Sequence, residues 1–572
     1  MKRRQFLRNT SLFTAGTFFL EGTAFKQLYG FPQVQALAKA SKNDRILVIL
    51  QLHGGNDGLN QTIPINQYAE YYNLRPNIAI SDTGARKYIK LDNFLPEEQQ
   101  LGVHPDMLPL KQMYDLGKVN IIQNAGYENM NGSHFKGRDI WFGGVGYNDP
   151  ITSGWIGRFL EMEFEGDGGV NPKFPQDFPN SDMLDPLGLE FSGGDVSLGF
   201  HTEDTIPTAI SIPDPASFFD LVTTLPGYDE EILKAIDDRG FPPANLNGSL
   251  YADELNWILG IEDGTDDYAK RLQEVYKKGG ATSIDYPSRY PLSAPSGALN
   301  NPIANNFKII AQLIGGGCKT KVYLVRMGGF DTHVNQVERY DNSLGGHAAL
   351  TYHIFATLKA FQEDLKARGV EGEVVTITMS EFGRRAKSNA SYGSDHGTVA
   401  PMYVFGNKIN PGVIGKNTNL TKAQASGNLS DAIGDFTDYR TVFNTILQDW
   451  FEVDPSKIPI ILPNYNASLT VPLFNKSLTP LDNFLNERYR LEDVFPNPVI
   501  KEANFSFYIN TASHVKIVLR DLRGNKVATL MNEFKNEGQH TFTADLINLR
   551  TGTYVYSLET NQIKTSKKLI KL

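Results

Sequence analysis

Five short polar clusters, each following an apolar run, contain the residues of this chain that could do chemistry. The clusters lie at residues 53–58, 133–135, 329–333, 380–384 and 394–397, and they supply carboxylates, imidazoles and a serine hydroxyl. In an open α/β sheet, ligands bind in the crevice outside the carboxyl ends of the strands. If the clusters end neighbouring strands, their side chains meet at one edge of the sheet. The combination predicts a metal-dependent hydrolase site.

The spacing of Asp331 and His333 is the most specific local pattern. In an extended segment, residues two apart point to the same side, so both side chains can bind one ion. A lone histidine is more often an ordinary surface or core residue. A histidine paired with an aspartate at a strand end is better explained as a metal ligand.

The elements that must position these clusters alternate between strands and helices. Continuous apolar runs at 45–51, 321–327 and 373–379 favour strands covered on both faces, and a shorter run lies at 119–122. Apolar residues recur at helical spacing over 348–368 and again over 439–450. This alternation predicts an α/β fold with a doubly wound, mostly parallel sheet.

Residues 172–302 interrupt that pattern within a main domain that we place at 41–455. They are rich in Pro, Gly, Asp and Ser, with helical pieces around 253–259 and 268–278. We expect an insertion beside the core. It either walls the pocket and selects the substrate or serves as a structural cap.

Charge and cysteine content exclude several classes of protein. The net charge is −9 and no basic block is present, which argues against a nucleic-acid partner. The single cysteine, Cys318, excludes an intramolecular disulfide and every metal motif built from several cysteines. We interpret it as a small buried apolar residue. No stretch after the first forty residues is apolar enough to span a membrane.

The first forty residues resemble a twin-arginine export signal. Lys2, Arg3 and Arg4 precede an apolar stretch, and Ala36, Ala38 and Ala40 offer cleavage sites, as these residues lie in the sequence. An uncleaved membrane anchor is the alternative. The resemblance implies that the twin-arginine machinery exports the protein folded, with a metal or cofactor loaded beforehand.

The chain changes character after residue 455. A linker rich in Pro and Asn is expected at 456–490, followed by short alternating strands over 491–572 that predict a small all-β sandwich. Residues 495–498, 521–524 and 549–554 and the lysine-rich strand 564–572 resemble the type A C-terminal sorting domain of the Bacteroidetes type IX secretion system. An immunoglobulin-like binding module is the alternative. The resemblance implies passage through the periplasm to the cell surface or the medium.

Residues 46–451 resemble a family of exported bacterial proteins, domain of unknown function 1501, placed with the alkaline phosphatase and sulfatase superfamily. The matching stretches lie at 54–60, 133–135, 154–158, 329–333, 380–384 and 396–398. The resemblance implies a pair of metal positions flanking a nucleophile. It makes Asp57 and His396 metal ligands, with Asp395 ligating or orienting His396. An Asp-Gly turn is the alternative for Asp57.

The same resemblance places the nucleophile at Ser133, at the start of a helix whose amides favour an anionic substrate. A plain helix N-cap is the alternative for this serine. His134 could protonate a leaving group. Asn56, Arg138 and Arg384 are candidates for holding phosphate or sulfate oxygens, and a solvated charge is the alternative for each arginine.

Glu381 and Phe382 depart from the superfamily, whose members carry an Asp-His pair after this strand. Glu381 could still coordinate a metal. Without the histidine of that pair, the site holds one ion or two, prefers a harder ion that binds oxygen ligands, or is inactive. Zinc fits best, with calcium, magnesium or manganese as alternatives. No Cys-x-Pro-x-Arg segment exists, which excludes the formylglycine route of sulfatases.

Two functions follow. The first is an exported metal-dependent hydrolase of phosphate or sulfate esters, acting on a small or polymer-linked substrate. The alternative is a catalytically inactive, metal-stabilised protein that binds a cell-surface polymer or an assembly partner.

Overall fold

The computed structural model describes residues 17–20, 23–26, 41–165, 178–192, 194–204, 206–212, 218, 268–430, 435–474, 488–560 and 563–572. Apart from two short strands, the predicted signal segment 1–40 lies outside these residues, as does the helical piece expected at 253–259.

A large mixed sheet forms the centre of the main domain. The strands before the C-terminal domain are β1 Thr17–Leu20, β2 Thr23–Lys26, β3 Ile46–Leu52, β4 Thr62–Pro64, β5 Ile89–Lys90, β6 Leu101–Val103, β7 Val119–Gly126, β8 Gly188–Phe191, β9 Ala209–Ser211, β10 Val322–Met327, β11 Val374–Met379, β12 Arg384–Ser388, β13 Ser394–His396, β14 Ala400–Phe405, β15 Gly412–Ile414 and β16 Thr437–Asp438. Within the described ranges, the 11-stranded sheet has the order β1-β2-β9-β8-β10-β3-β11-β14-β7-β15, with β16 beside β7.

The middle of this sheet is parallel, as the apolar runs predict. Strands β9, β8, β10, β3 and β11 pair in parallel, whereas β14 runs antiparallel to both of its neighbours. All seven residues of β3 are buried, because a parallel strand in the middle of a sheet has both faces covered. The predicted α/β fold with a mostly parallel sheet is confirmed.

Helices connect the parallel strands. They are α1 Tyr68–Leu74, α2 Leu108–Asp115, α3 His134–Gly143, α4 Trp155–Glu163, α5 at 268–279, α6 Ser296–Leu299, α7 Ala304–Gly315, α8 Gly346–Ala367, α9 Leu420–Ser426, α10 Tyr439–Thr445 and α11 Ile458–Ile461. Helix α8 matches the expectation for 348–368. The helix expected over 439–450 divides into α10 and a π-helical segment, Ile446–Trp450.

Two predicted boundaries need correction. Strands β8 and β9 fall inside the expected insertion 172–302, yet they extend the central sheet beside β10. They have four and three residues, too few to produce a recognisable apolar period. The expected linker 456–490 also starts too early, because Ile458, Leu473 and Phe474 are buried in the main core.

The C-terminal domain is an all-β sandwich, as expected. Its strands are β17 Tyr489–Leu491, β18 Glu502–Ile509, β19 Ser513–Asp521, β20 Lys526–Lys535, β21 Gly538–Asp545, β22 Gly552–Glu559 and β23 Lys564–Lys571. They form the sheets β17-β18-β21 and β20-β19-β22-β23. Phe505 and Phe507 of one sheet share a buried core with Ile517, Leu519 and Tyr556 of the other.

Candidate metal centre

The polar clusters meet beyond the ends of β10 and β11, where three loops and the start of one helix come together. Asp331 and His333 lie in the loop after β10, and Glu381 follows β11 directly. His396 ends β13, and His134 is the first residue of α3. Residues more than two hundred positions apart therefore meet at one sheet edge, where a doubly wound fold places its ligands.

Three imidazoles surround the carboxylate of Asp331. Its Oδ1 atom lies 3.0 Å from His396 Nε2 and 3.1 Å from His333 Nε2, and its Oδ2 atom lies 3.6 Å from His134 Nε2. His134, Asp331 and His396 each offer a ligand atom within 4.8 Å of the others. His333 adjoins this group, because its Nε2 atom is 2.9 Å from that of His396.

The other nitrogen of each ring is held by an oxygen acceptor. His396 Nδ1 donates to the carbonyl of Gly132 at 2.7 Å, His134 Nδ1 to Glu381 Oε1 at 2.9 Å, and His333 Nδ1 to Asp395 Oδ1 at 3.2 Å. Metal-binding histidines almost always donate their second N–H to a carbonyl or carboxylate in this way. Each Nε2 atom then keeps a lone pair on the side of the ring that faces Asp331. The three rings and this carboxylate can therefore bind a divalent cation.

Asp331 is held in its charged form by the residues around it. Burial opposes ionisation, but the hydrogen bond from Arg384 and the adjacent ring of His396 lower the pKa of Asp331 to about 2. The Arg384 bond, from Nη2 to Oδ1, measures 2.6 Å. At neutral pH the carboxylate is therefore available as a metal ligand.

Arg384 is not available for substrate. Its side chain is fully buried and donates to the backbone carbonyls of Gly54, Gly55, Phe330 and Ser394 as well as to Asp331. All three of its nitrogens donate to the surrounding loops, which argues against the expected substrate role. The arginine fixes Asp331 in position.

Glu381 orients a ring and leaves one oxygen unused. Its fully buried carboxylate accepts from the Gly54 amide at 2.7 Å and from His134 through the same Oε1 atom. The buried Oε2 atom has no hydrogen-bond partner among the described residues. In this arrangement Glu381 supports His134 rather than the ion itself.

Asp57 and Asn56 occupy a different, buried network. Both oxygens of Asp57 lie 2.7 Å from Arg75 Nη1, and Gln336 Nε2 donates to Oδ2 at 2.5 Å. Burial would raise the pKa of Asp57, but Arg75 outweighs it and the pKa is lowered. Asn56 is fully buried and donates to Gln61. The buried Oδ1 atom of Asn56 has no hydrogen-bond partner among the described residues. The structure brings neither residue into the histidine cluster, because Asp57 is engaged by Arg75 and Gln336 and the amide of Asn56 by Gln61.

Ser133 and Arg138 lie at the rim. Ser133 is the N-cap of α3, and its hydroxyl accepts from the amide of Lys136 at 3.4 Å. It directly precedes His134 and follows Gly132, so it borders two of the three anchored rings. Arg138 pairs with Asp139 at 3.2 Å and lies over the ring of Phe135. Both positions face solvent in part.

The sequence by itself assigns no individual role to three polar residues near the histidine cluster. They are His53, Gln51 and Arg326. His53 Nδ1 lies 3.5 Å from Glu381 Oε1, and burial lowers the pKa of this histidine. Gln51 and Arg326 belong to β3 and β10, where an isolated polar residue within an apolar strand was the available signal.

Two sequence families match parts of the chain. Residues 316–447 match a family described as protein of unknown function, DUF1501. The match includes Asp331, His333, Glu381 and His396, and it is shorter than the expected span 46–451.

Residues 493–572 match the secretion system C-terminal sorting domain. This domain implies export to the cell surface or secretion, with the secretion machinery as a partner. In the described part of the chain, no helix has the length and apolarity needed to cross a membrane. No curated protein matches the sequence.

Solved structures give low-scoring matches over most of the chain. A protein in the alkaline phosphatase superfamily from Vibrio parahaemolyticus has 9% identity and a TM-score of 0.28, covering 92% of this chain and 81% of its own. A sulfatase from Pseudoalteromonas sp. has 9% identity and a TM-score of 0.30, with coverages of 88% and 84%. The phosphonate monoester hydrolase of Agrobacterium radiobacter has 10% identity and a TM-score of 0.27, with coverages of 88% and 90%. At such scores the fold class rests on the strand order of the sheet itself.

Proposed function

We propose that this protein is an exported, metal-dependent hydrolase of phosphate or sulfate esters. The observation that carries the proposal is the set of three histidines, each anchored through Nδ1, whose Nε2 atoms face Asp331. Imidazoles with one carboxylate suit zinc better than calcium or magnesium, which prefer oxygen ligands. We assign His134, His333, His396 and Asp331 as ligands, for one ion or two.

A bound divalent cation would polarise the ester oxygen and stabilise the charge that develops on it. Ser133, exposed beside the cluster, is then the nucleophile. Its Oγ atom bonds to phosphorus or sulfur as the bond to the alcohol oxygen breaks, and the serine proton passes to the departing alcohol. Water later hydrolyses the serine ester, which releases the inorganic acid and restores the hydroxyl. The amides at the start of α3 favour the anionic group. His134 serves this mechanism as a ligand, not as the proton donor expected from the sequence.

The route of export is part of the proposal. A twin-arginine signal at 1–40 would carry the folded protein to the periplasm, and the sorting domain would take it onward. The substrate is then met outside the cell, as a small or polymer-linked ester. Export in the folded state agrees with a metal site assembled from distant loops, which needs the completed fold.

The test combines metal analysis with a panel of phosphate and sulfate esters, using the full chain and Ser133 variants. Ser133→Asn keeps a side-chain N-cap but loses the hydroxyl, whereas Ser133→Thr keeps both. We expect Ser133→Asn to retain metal and stability and to lose turnover. Ser133→Thr should keep part of the turnover. Normal turnover by Ser133→Asn would overturn the nucleophile assignment.

One observation favours a second candidate, a metal-stabilised binding protein without catalysis. The ring of Phe382 is fully buried and packs 4.9 Å from the ring of His134 and 4.6 Å from that of His396. It fills space beside the ligands with an apolar group. This candidate expects bound metal, no turnover on any ester and measurable binding to cell-surface polymer. Turnover by the metal-loaded protein would exclude it.

A further inference from the structure

Next to the histidine cluster lie three polar side chains with nitrogen atoms that make no hydrogen bond. Gln51 is 1% exposed, and its Nε2 atom has no partner in the described structure. Arg326 is half-buried, and its guanidinium has no hydrogen bond or ion pair among the described residues. The buried Nδ1 atom of His53 also lacks a hydrogen bond. A buried amide donor without an acceptor is costly, which points to a missing partner.

The strand register places these donors on the same face of the sheet. Arg326 of β10 pairs with Gln51 of β3, and register partners in parallel strands project to the same side. His53 continues β3 two residues beyond Gln51, and its amide donates to Met327 O at 2.8 Å. The ring of His53 lies 5.9 Å from that of His134. The donors therefore adjoin the metal ligands.

The nearby carboxylates do not satisfy Arg326. Glu190 is fully buried, and its two oxygens accept from the amide and hydroxyl of Ser197 at 2.7 and 2.5 Å. Glu381 accepts through Oε1 from Gly54 and His134, and its buried Oε2 atom has no hydrogen-bond partner among the described residues, so neither oxygen is bonded to Arg326. Burial, and then the charge of Arg138, lower the pKa of Arg326, while both carboxylates act in the opposite direction.

The strand end next to Arg326 is open. Gly328 is exposed, and a Cβ atom added there would meet nothing within 4 Å. A ligand can therefore approach from the side of the β10 loop, over the same edge that carries Asp331.

We propose that Gln51, Arg326 and His53 form an oxyanion-binding subsite beside the metal centre, which takes a phosphate or sulfate group of the substrate. An arginine fork and a neutral amide donor match the oxygens of a tetrahedral anion. The subsite deepens the proposed hydrolase function and rests on it for the identity of the substrate. Its ability to bind an oxyanion does not depend on turnover.

The test measures inorganic phosphate and sulfate binding to the full chain by titration calorimetry, with metal loaded and after chelation. Arg326→Gln and Gln51→Met should each weaken binding about tenfold or more in both states, the loss expected for hydrogen bonds to a charged group. Arg326→Lys should fall between Arg326→Gln and the wild type. Arg289→Gln alters an exposed arginine elsewhere and should leave affinity unchanged.

Two results would overturn the subsite. One is unchanged affinity in folded Arg326→Gln or Gln51→Met. The other is anion binding that requires metal and is unaffected by both substitutions. Its failure differs from failure of the hydrolase proposal, since the chelated protein tests binding without activity.

A sugar monophosphate and a sugar bisphosphate separate two sources of the anion. If Arg326→Gln removes only the higher affinity for the bisphosphate and leaves monophosphate affinity unchanged, the subsite holds a second anionic group. If the affinities for both sugar phosphates fall equally, the subsite binds the oxygens of the ester itself.

Discussion

The Nε2 atoms of His333 and His396 lie 2.9 Å apart, although the Nδ1 atom of each ring already donates to an oxygen. Two neutral rings in this arrangement would direct two lone pairs at each other. A proton or a cation between them removes the repulsion. Ligand atoms around a tetrahedral zinc ion are roughly 3.3 Å apart, close to the observed separation.

His396→Ala should abolish metal binding in the purified protein. The substitution removes one ligand and leaves the ring of His333 without its neighbouring ring. Metal content by elemental mass spectrometry is the measurement, and it should fall from near stoichiometric to background. His540→Ala is the matched control, because His540 lies in the sorting domain and bonds to Asn536 O. Equal metal content in His396→Ala and wild type would contradict the assigned site.

Glu381→Gln should weaken metal binding without abolishing it. The amide still accepts from Gly54, but the charge that supports the His134 ring is lost. We expect a roughly 10–100-fold loss of affinity, as is usual for residues that orient a ligand. Competition with a chelator of known affinity measures the change, and Glu70→Gln, on an exposed surface, is the control. Complete loss of metal would make Glu381 a ligand instead.

Asp57→Asn should reduce stability and leave metal content unchanged. The fully buried Arg75 would lose its carboxylate partner, and breaking a buried pair typically costs about 3–5 kcal/mol. Denaturant unfolding and elemental analysis of the same sample check both statements.

The double variant Asp57→Asn, Arg75→Met should be less destabilised than the single one, since no unpaired charge remains. Loss of metal with stability intact would restore Asp57 as a ligand.

Two buried histidines should make stability fall in mild acid. Burial lowers the pKa of His347 to about 4 and that of His104 well below its ordinary 6.5. Between these values the unfolded chain binds more protons, so protonation favours unfolding. The stabilisation is complete above pH 6.5 and is lost as the pH falls toward 4, by up to about 1.4 kcal/mol per pH unit for each histidine.

Urea unfolding of the metal-depleted protein between pH 4 and 7.5 measures this slope. His347→Gln should make it shallower, whereas His514→Gln, at an exposed position, should leave it unchanged. Equal slopes in His347→Gln and wild type would show that His347 is not the titrating group.

Apolar runs of six or seven residues, such as β3 and β11, were readable as buried strands because a central parallel strand buries both faces. Periodicity likewise predicted the helix α8 and the strands of the sandwich. The pairing of Asp331 with His333 was predicted from their spacing, and His396 from the family resemblance. Periodicity missed β8 and β9, since three or four residues carry no usable period. Sequence alone could therefore name the fold class but not the width of the sheet.

Residue types and spacing thus determined that histidines and carboxylates end the central strands. Only the tertiary structure decided which of them meet. Asp57 and Arg384 have the same local pattern as the residues of the histidine cluster, yet one is bound by Arg75 and the other by four backbone carbonyls. The role that we propose for Gln51 and Arg326 depends on the parallel pairing that places them side by side. A side chain's chemistry depends on which partners satisfy it, and long-range folding chooses those partners.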